Sequence, residues 1–169
     1  MFSRLDRMIR RLRTQRACLD WAVGEIANLP GPILEFGLGS GRSYDHLRKH
    51  LPERDIFVYD RVVVAHPDCI PPDDRLVVGE FAETLPDAAV RFAGAAALIH
   101  ADIGSHDGPA SRALAAELAP LWVKMLKGNA VLLSDQPLTI AGLGELPLPP
   151  EAPGHYFLFR RAPLDEPSA

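Results

Sequence analysis

The chain has 169 residues, of which 47% are hydrophobic and 24% charged, and its formal net charge is -4. These values are typical of one soluble globular domain and exclude a disordered, fibrous or membrane-spanning chain. We expect one domain over residues 1–169, with N-terminal helices over 1–30, a core over 31–160 and a flexible tail over 161–169. No apolar run reaches the roughly 18 to 20 residues that a membrane helix needs, and the N-terminus lacks the apolar core of a secretory signal. The sequence therefore predicts a cytoplasmic protein with no membrane partner.

The first 16 residues form a basic segment, with a net charge of +5 from six arginines and one aspartate. Apolar residues recur there at three- and four-residue spacing, which predicts an amphipathic helix. A second helix is predicted from Thr14 to Asn28, ending before Pro30. We expect the arginine-rich helix to pack on the body of the protein, with a subunit interface in a homodimer as the alternative. Nucleic acid is not an expected partner, because the chain as a whole is acidic and carries no recognised nucleic-acid motif.

The middle of the chain alternates short apolar runs with helical stretches. Five runs predict buried parallel strands: Ile33–Phe36, Ile56–Tyr59, Leu76–Val78, Ala95–Ile99 and Ala130–Leu133. Helices are predicted over Arg42–His50 and Ala113–Lys127, the second one kinked at Pro120 and ended by Gly128. This alternation predicts an α/β fold with a doubly wound, mostly parallel Rossmann-like sheet and helices on both faces. Ligands of such sheets bind beyond the carboxyl ends of the strands.

Two segments depart from regular alternation. The connection Arg61–Asp74 is proline-rich and predicts no ordinary helix. The stretch Ile140–Gly154 holds four prolines and three glycines and predicts an irregular loop. Only one strand, His155–Arg160, is predicted after Leu133, so we expect a sheet that is trimmed at its C-terminal edge.

The most informative segment is the glycine-rich turn that directly follows the first strand. Glu35 stands two residues before Gly37, which is followed by Gly39 and Gly41. Such a turn brings backbone close to a ligand, because glycine has no side chain and tolerates positive φ. The dinucleotide pattern GxGxxG requires a third glycine where this chain has Arg42, which counts against a nicotinamide or flavin site.

The turn resembles motif I of class I S-adenosylmethionine-dependent methyltransferases. The resemblance implies that Glu35 lies beneath the methionine part of the cofactor. It also implies that the turn and the start of the next helix bind the cofactor through Gly37, Leu38, Gly39, Ser40, Gly41 and Ser43.

The ends of the second and third strands extend this resemblance, which covers roughly Thr14 to Gln136. Asp60, followed by Arg61, stands where the family has a carboxylate that accepts both ribose hydroxyl protons. At the third strand end, Gly79-Glu80-Phe81 matches the segment whose acid meets the adenine amino group and whose next residue covers the ring. The resemblance implies S-adenosylmethionine as cofactor and S-adenosylhomocysteine as product.

Polar residues also follow the fourth and fifth strands. His100, Ala101 and Asp102 come after the fourth strand and are expected to border the cofactor. Asp102 is the main candidate for the active centre, because it would orient the cofactor, a metal or the acceptor. His106 or His100 is the candidate general base, since imidazole titrates near neutral pH.

These strand ends partly resemble those of metal-dependent sugar O-methyltransferases of the macrocin and mycinamicin type. In that group, acids at these two positions hold magnesium against substrate oxygens. Asp102 and Asp135 match two of the positions, while Gln136 replaces the usual second acid. The resemblance therefore also implies a Mg²⁺ site formed by these three residues. The loss of one carboxylate counts against that site, because it lowers the negative charge available to the ion.

The combined features predict methyl transfer from S-adenosylmethionine to a small-molecule acceptor, through an oxygen nucleophile. Two alternatives remain at this point. One is a cofactor-binding or partner-binding module without catalysis, because the chain has no room for a separate substrate domain. The other is a nicotinamide-dependent oxidoreductase, supported only by the shared glycine turn and the downstream Asp60.

Overall fold

The computed structural model describes residues 2–164. Seven strands form one sheet in the order β3-β2-β1-β4-β5-β7-β6. The strands are β1 (Ile33–Phe36), β2 (Ile56–Asp60), β3 (Leu76–Val78), β4 (Ala96–Ala101), β5 (Leu126–Ser134), β6 (Leu143–Leu146) and β7 (Phe157–Arg161). The helices are α1 (Arg4–Glu25), α2 (Arg42–His50), α3 (Phe81–Arg91) and α4 (Gly108–Met125). Strands β1 to β5 pair in parallel, whereas β7 runs antiparallel to both β5 and β6.

Helices cover both faces of the sheet, which explains why the central strands are apolar along their whole length. Buried residues of α1 and α2, such as Leu19 and Leu47, pack in one cluster with one face of the sheet. Those of α3 and α4, such as Leu85, form the cluster on the opposite face. There Trp122 stacks on Phe36 of β1 with 6.0 Å between ring centroids. The predicted doubly wound sheet is confirmed.

The register of the sheet brings the polar strand ends to one edge. Phe36 pairs with Tyr59 of β2 and with Ala101 of β4, and Ala101 pairs with Ser134 of β5. The residues that follow these positions in the chain therefore emerge side by side at the carboxyl edge: Gly37, Asp60, Asp102 and Asp135. This is the edge at which ligands of open α/β sheets bind.

The N-terminal region forms one continuous helix, so the prediction of two helices is wrong. Neither glycine nor proline occurs between Ser3 and Val23, and nothing in the chain breaks the helix there. Ser3 and Asp6 form a capping box at its start. Beyond its end, the Arg54 guanidinium donates hydrogen bonds of 2.7 to 2.9 Å to the carbonyls of Ile26, Leu29 and Gly31. These bonds hold the turn that leads into β1.

The sheet is complete at its C-terminal edge, so the prediction of a trimmed edge is wrong. The segment predicted as an irregular loop contains β6, which pairs with β7 from Leu143–Arg161 to Leu146–Leu158. An edge strand of four residues with exposed Gly144 and Glu145 carries too little apolar pattern to be recognised from sequence. Its backbone hydrogen bonds to β7 hold it in place.

The two ends of helix α4 differ from the prediction, whereas the predicted lack of an ordinary helix after β2 is confirmed. Helix α4 begins at Gly108 with Asp107 as its N-cap, and it continues through Pro120 to Met125. The chain then enters β5 at once, so Gly128 lies inside a strand and does not end the helix. The connection after β2 contains only two short 3-10 turns, Pro67–Cys69 and Asp73–Arg75, which confirms that it lacks an ordinary helix.

The predicted flexible tail is only partly covered by the structure. Arg161 belongs to β7, and residues 165–169 lie outside the described residues. Within residues 2–164, none of the helices has the combination of length and apolar character that crossing a bilayer requires.

Candidate functional site

The three glycines of the turn between β1 and α2 share a backbone conformation that favours glycine, and they differ in what surrounds them. All three have positive φ: 93° at Gly37, 50° at Gly39 and 77° at Gly41. A Cβ on Gly37 would collide with the carbonyl oxygen of Asp102, whereas a Cβ on Gly41 would lie 2.5 Å from that of Cys69. Nothing lies within 4 Å of a Cβ built on Gly39, so the turn faces open space at that point.

Asp60, the last residue of β2, holds this turn from below. One carboxylate oxygen accepts hydrogen bonds from the backbone N–H groups of Leu38 at 2.7 Å and Gly39 at 3.0 Å. Its other oxygen lies 3.4 Å from the N–H of Val62. A carboxylate has about four lone-pair sites, so the second oxygen keeps capacity for further donors.

A fully buried polar cluster lies beneath the turn, on β1 and β4. Glu35 accepts a hydrogen bond from the Ser43 hydroxyl, and its carboxylate lies 3.3 Å from Nδ1 of His100. The other ring nitrogen, Nε2, lies 2.7 Å from the hydroxyl of Tyr156. The second carboxylate oxygen of Glu35 has no hydrogen-bond partner among residues 2–164.

The charge balance of this cluster favours a protonated imidazole. Burial lowers the pKa of His100, but the hydrogen bond and charge of Glu35 and the charges of Asp102 and Asp135 outweigh it, so the pKa lies above its ordinary value. Burial, together with the Asp102 charge, raises the pKa of the Tyr156 hydroxyl well above its ordinary value. The cluster therefore places an imidazole of raised pKa between the Glu35 carboxylate and a phenol that stays neutral.

Asp102, directly after β4, is held by two side chains of α1. Arg11 donates to both carboxylate oxygens at 2.7 Å, and the Gln15 amide donates to one of them at 2.7 Å. Asp102 is only 16% exposed, whereas Arg11 is 47% exposed. Helix α1 therefore forms a wall of the site, a role that no sequence motif indicates. The available signal was the polar pair Thr14 and Gln15 in the buried stripe of this helix.

Asp135, after β5, anchors the loop that follows β4. Its carboxylate accepts hydrogen bonds from the N–H groups of Ile103 at 3.3 Å and Gly104 at 2.9 Å, and from the Gln136 amide at 3.0 Å. Burial, and then the negative charge of Asp102, raises the pKa of this carboxyl group.

The predicted magnesium ligands do not fit a divalent cation in this arrangement. Both oxygens of Asp102 accept hydrogen bonds from the Arg11 guanidinium, and one also accepts from Gln15, so direct coordination of a divalent ion would have to displace these donors. Gln136 directs its amide nitrogen, a donor, towards Asp135. A hard cation needs a set of free oxygen ligands, which Asp102, Asp135 and Gln136 do not offer together.

Two cavities open at the carboxyl edge of the sheet, and the glycine turn lines the first of them. The first has a volume of about 190 Å³, and its lining includes Arg11, Gln15, Arg42 and Asp102 together with the turn itself. The second has a volume of about 260 Å³ and is lined by Arg61, Glu80, Phe81, Ala82, Ile103, Ser105, Ala110, Ser111 and Leu114. Larger cavities of about 650 Å³ lie elsewhere, at the amino ends of the strands and beside the proline-rich segment 149–153. Ligands of this fold class bind at the carboxyl edge, where the two smaller cavities lie.

The predicted site residues separate into three groups in the structure. The first group lines the first cavity: Gly37, Leu38, Gly39, Ser40, Ser43 and Asp102. The second group lines the second cavity: Arg61, Glu80 and Phe81. Beneath them lie Glu35, Gly41, Ala101 and His100, all of them buried. His106 is exposed in the loop between β4 and α4, and Gly79 packs closely against Thr84. Sequence reasoning missed Arg11, Gln15, Arg42, Tyr156 and the α4 wall of the second cavity.

Comparison with known proteins gives a consistent result. A model of the S-adenosyl-L-methionine methyltransferase family matches residues 2–161. The chain is similar to the solved structure of an S-adenosyl-L-methionine methyl transferase from Silicibacter pomeroyi, with 43% identity and a TM-score of 0.90 over 96% of this chain and 100% of that one. A comparison with curated proteins finds no match.

Two more distant structures show the fold alone. The MycE methyltransferase of the mycinamycin biosynthetic pathway is 15% identical, with a TM-score of 0.59 over 94% of this chain and 49% of that one. The 16S rRNA (adenine(1408)-N(1))-methyltransferase from Catenulisporales acidiphilia is 11% identical, with a TM-score of 0.51 over 89% of this chain and 94% of that one.

The fold, the glycine turn and the family match agree with one another and set aside the nicotinamide-dependent alternative. The family model spans nearly the whole chain, and the 43% identical structure is superimposable along its full length. The chain belongs to the S-adenosyl-L-methionine methyltransferase family and is an S-adenosylmethionine-dependent methyltransferase with a Rossmann-like fold.

Proposed function

We propose that the chain transfers the methyl group of S-adenosylmethionine to an oxygen atom of a small-molecule acceptor. The observation that carries the proposal is the pair of cavities at the carboxyl edge of the sheet, the first of which includes the glycine turn and the Arg11–Asp102 ion pair. The bound cofactor supplies an electrophilic methyl group on its sulfonium.

The first cavity suits the methionine end of the cofactor, which carries one ammonium and one carboxylate. Asp102 is a partner for the ammonium, and the guanidinium of Arg11 is a partner for the carboxylate, since planar guanidinium groups bind carboxylates bidentately. Arg42, at the start of α2, lines the same cavity and adds positive charge. The ion pair between Arg11 and Asp102 is thus a preformed complement to a zwitterion.

The remaining parts of the cofactor are assigned to Asp60 and the second cavity. Asp60 is fixed by the Leu38 and Gly39 N–H groups, and its second oxygen accepts the ribose hydroxyls. In the second cavity, Glu80 accepts from the adenine amino group, and Phe81 supplies apolar surface for the ring. Buried Glu35 and His100 support the turn and Asp102 from beneath, without contact to the acceptor.

The acceptor class rests on the charge of the chain, because the first cavity, of about 190 Å³, is assigned to the cofactor itself. The net charge of -4 opposes binding of a polyanion such as RNA and favours a small molecule as acceptor.

His106 is the proposed general base for the acceptor hydroxyl. It lies exposed in the loop that follows Asp102, at the carboxyl edge of the sheet. Histidine is the side chain that most often serves as a general base near neutral pH. Arg11, Gln15 and Asp102 orient the methyl donor, and His106 accepts the proton as the oxygen attacks.

The ion pair can be tested without knowledge of the acceptor. Replacing Arg11 with alanine is expected to weaken S-adenosylhomocysteine binding by about 10-fold or more, because a hydrogen bond to a charged group contributes about 1.5 to 3 kcal/mol. Calorimetric titration measures the affinity. The matched control is Arg7→Ala, one turn earlier on the same helix, where the guanidinium bonds, within residues 2–164, only to the Phe2 carbonyl. Equal affinities in both variants would contradict the assignment.

The acceptor class can be tested with an isotope-labelled methyl donor. Purified protein is incubated with labelled S-adenosylmethionine and separately with the small-molecule, RNA and protein fractions of a cell extract. We expect label in the small-molecule fraction, and we expect the NMR shift of the labelled carbon to identify a methyl group bonded to oxygen. Label in the RNA or protein fraction, or a methyl group on nitrogen, would contradict the proposed acceptor.

A further inference from the structure

A group of potential metal ligands lies outside the cofactor site, where α1 packs against α2. Asp20 of α1 and His46 and His50 of α2 place one ligand atom each within 4.8 Å of one another. The Nε2 atom of His46 lies 2.7 Å from a carboxylate oxygen of Asp20. The two imidazole rings are 4.2 Å apart between centroids. Two histidines four residues apart on a helix present their rings on the same face, which is the spacing of helical zinc ligands.

The hydrogen bonds around the cluster leave the required lone pairs available. Nδ1 of His50 lies 2.8 Å from the backbone carbonyl of His46, so this nitrogen carries the proton and Nε2 has a free lone pair. Histidine ligands commonly donate their second N–H to a backbone carbonyl in this way. The two basic residues between the histidines, Arg48 and Lys49, are both paired with Asp45. They therefore do not compete with His46 for the carboxylate of Asp20.

We propose that Asp20, His46 and His50 form a binding site for a transition-metal ion such as Zn²⁺, which ties α1 to α2. Two imidazoles and one carboxylate match the ligand preferences of Zn²⁺ and exclude a preference for Mg²⁺ or Ca²⁺. Asp20 is 49% exposed and His46 is 22% exposed, so an ion reaches the site from solvent. On binding, the ion replaces the proton shared by His46 and Asp20, and water completes a tetrahedral shell.

The site links the two helices that line the first cofactor cavity. Arg11 and Gln15 on α1 and Arg42 and Ser43 on α2 belong to that cavity. An ion that binds the folded protein and not the unfolded chain stabilises the fold. A Zn²⁺ clamp between α1 and α2 is therefore expected to raise the thermal stability of the wall of the site.

The test uses untagged full-length protein from which metals have been removed with a chelator. ZnCl₂ is titrated calorimetrically at about pH 7.5, since metal binding to histidine competes with protons and is favoured above acidic pH. We expect one ion per chain and a rise in Tm of about 5 °C at 100-fold excess over Kd. Co²⁺ in place of Zn²⁺ is expected to give a visible absorption band typical of a site with nitrogen and oxygen ligands.

Single substitutions identify the ligands. His50→Gln, His46→Gln and Asp20→Asn are each expected to weaken Zn²⁺ binding by about 10-fold or more. The matched control, His155→Gln, removes an exposed histidine elsewhere and leaves the affinity unchanged. All four positions are at least partly exposed, and circular dichroism in the absence of metal checks that each variant is folded. The proposal is overturned if folded wild-type protein shows no saturable Zn²⁺ binding, or if the three variants bind as tightly as wild type.

Discussion

Replacing His100 with leucine is expected to lower the free energy of unfolding by about 3 to 5 kcal/mol at about pH 6. His100 and Glu35 are directly paired neighbours on β4 and β1, and both side chains are fully buried. Removing one partner of a buried ion pair leaves the other charge without compensation, which costs about this amount. Urea unfolding followed by circular dichroism measures the loss.

The double variant Glu35→Leu/His100→Leu separates the ion pair from general packing. With both charges gone, no buried charge is left unpaired, so we expect the double variant to recover part of the stability lost in His100→Leu. His155→Gln, an exposed histidine, serves as the control and should change stability by less than about 0.5 kcal/mol. A loss below about 1 kcal/mol in His100→Leu would show that the two residues do not form a buried ion pair.

The same pair makes a prediction about pH. The folded-state pKa of His100 is raised above its ordinary value, so its contribution to stability is complete below the unfolded-state pKa of about 6.5. The contribution is lost as pH rises through the higher folded-state pKa. The stability difference between wild type and His100→Leu should therefore shrink from pH 6 towards alkaline pH. A difference that grows with pH would contradict a protonated imidazole in the folded state.

Substituting alanine for Gly37 is expected to prevent cofactor binding and to destabilise the fold by several kcal/mol. The added Cβ would collide with the carbonyl oxygen of Asp102. The backbone of residue 37 sets the position of this Cβ, and the oxygen is itself a backbone atom, so neither can move away independently. The φ of 93° adds strain, since L-residues rarely adopt such values. Thermal unfolding and calorimetric titration with S-adenosylhomocysteine measure the two effects.

Two other glycines provide matched controls for this substitution. Gly39→Ala meets open space, and its φ of 50° lies in the left-handed region that costs an alanine about 1 to 2 kcal/mol. We expect that variant to fold and yet bind S-adenosylhomocysteine less tightly, because its methyl group enters the space above the turn. Gly144→Ala, in the edge strand β6, is expected to leave binding unchanged. If Gly37→Ala were as stable as Gly144→Ala, the close approach of the turn to Asp102 would be disproved.

The parts of the fold that follow from local chemistry could be predicted from the sequence. The strand–glycine–helix unit at Glu35–Gly41 and the apolar runs of β1, β2 and β4 carry their patterns within a few residues. Asp60, at the end of β2, and Asp102, directly after β4, lie at one edge because both strands run parallel to β1, which lies between them. This geometry explains why a search along strand ends located six of the eleven residues that line the first cavity, and three of the nine that line the second.

What could not be predicted depends on contacts between distant parts of the chain. Arg11 reaches Asp102 across 91 positions of sequence, and an arginine in a basic helix gives no sign of that partner. Tyr156 meets His100 only because the chain returns to the sheet at β7, which pairs with β5. Strand β6 is held by pairing with β7, so its own residues carry little signal. His100 was predicted as a candidate base, but the structure buries it against Glu35, where it supports the site from beneath.

The central claim is that the carboxyl edge of the sheet binds S-adenosylmethionine with Asp60 as the ribose partner. Calorimetric titration of wild type and Asp60→Ala with S-adenosylmethionine, S-adenosylhomocysteine and NADH, each with and without Mg²⁺, tests it most directly. We predict saturable binding of both sulfur ligands to wild type and no binding of NADH. Mg²⁺ is expected to have no effect on these affinities. Asp60→Ala is expected to bind both sulfur ligands about 100-fold less tightly, because it loses two charged hydrogen bonds to the ribose. Failure of folded wild type to bind either sulfur ligand, or equal affinity in Asp60→Ala, would contradict the account.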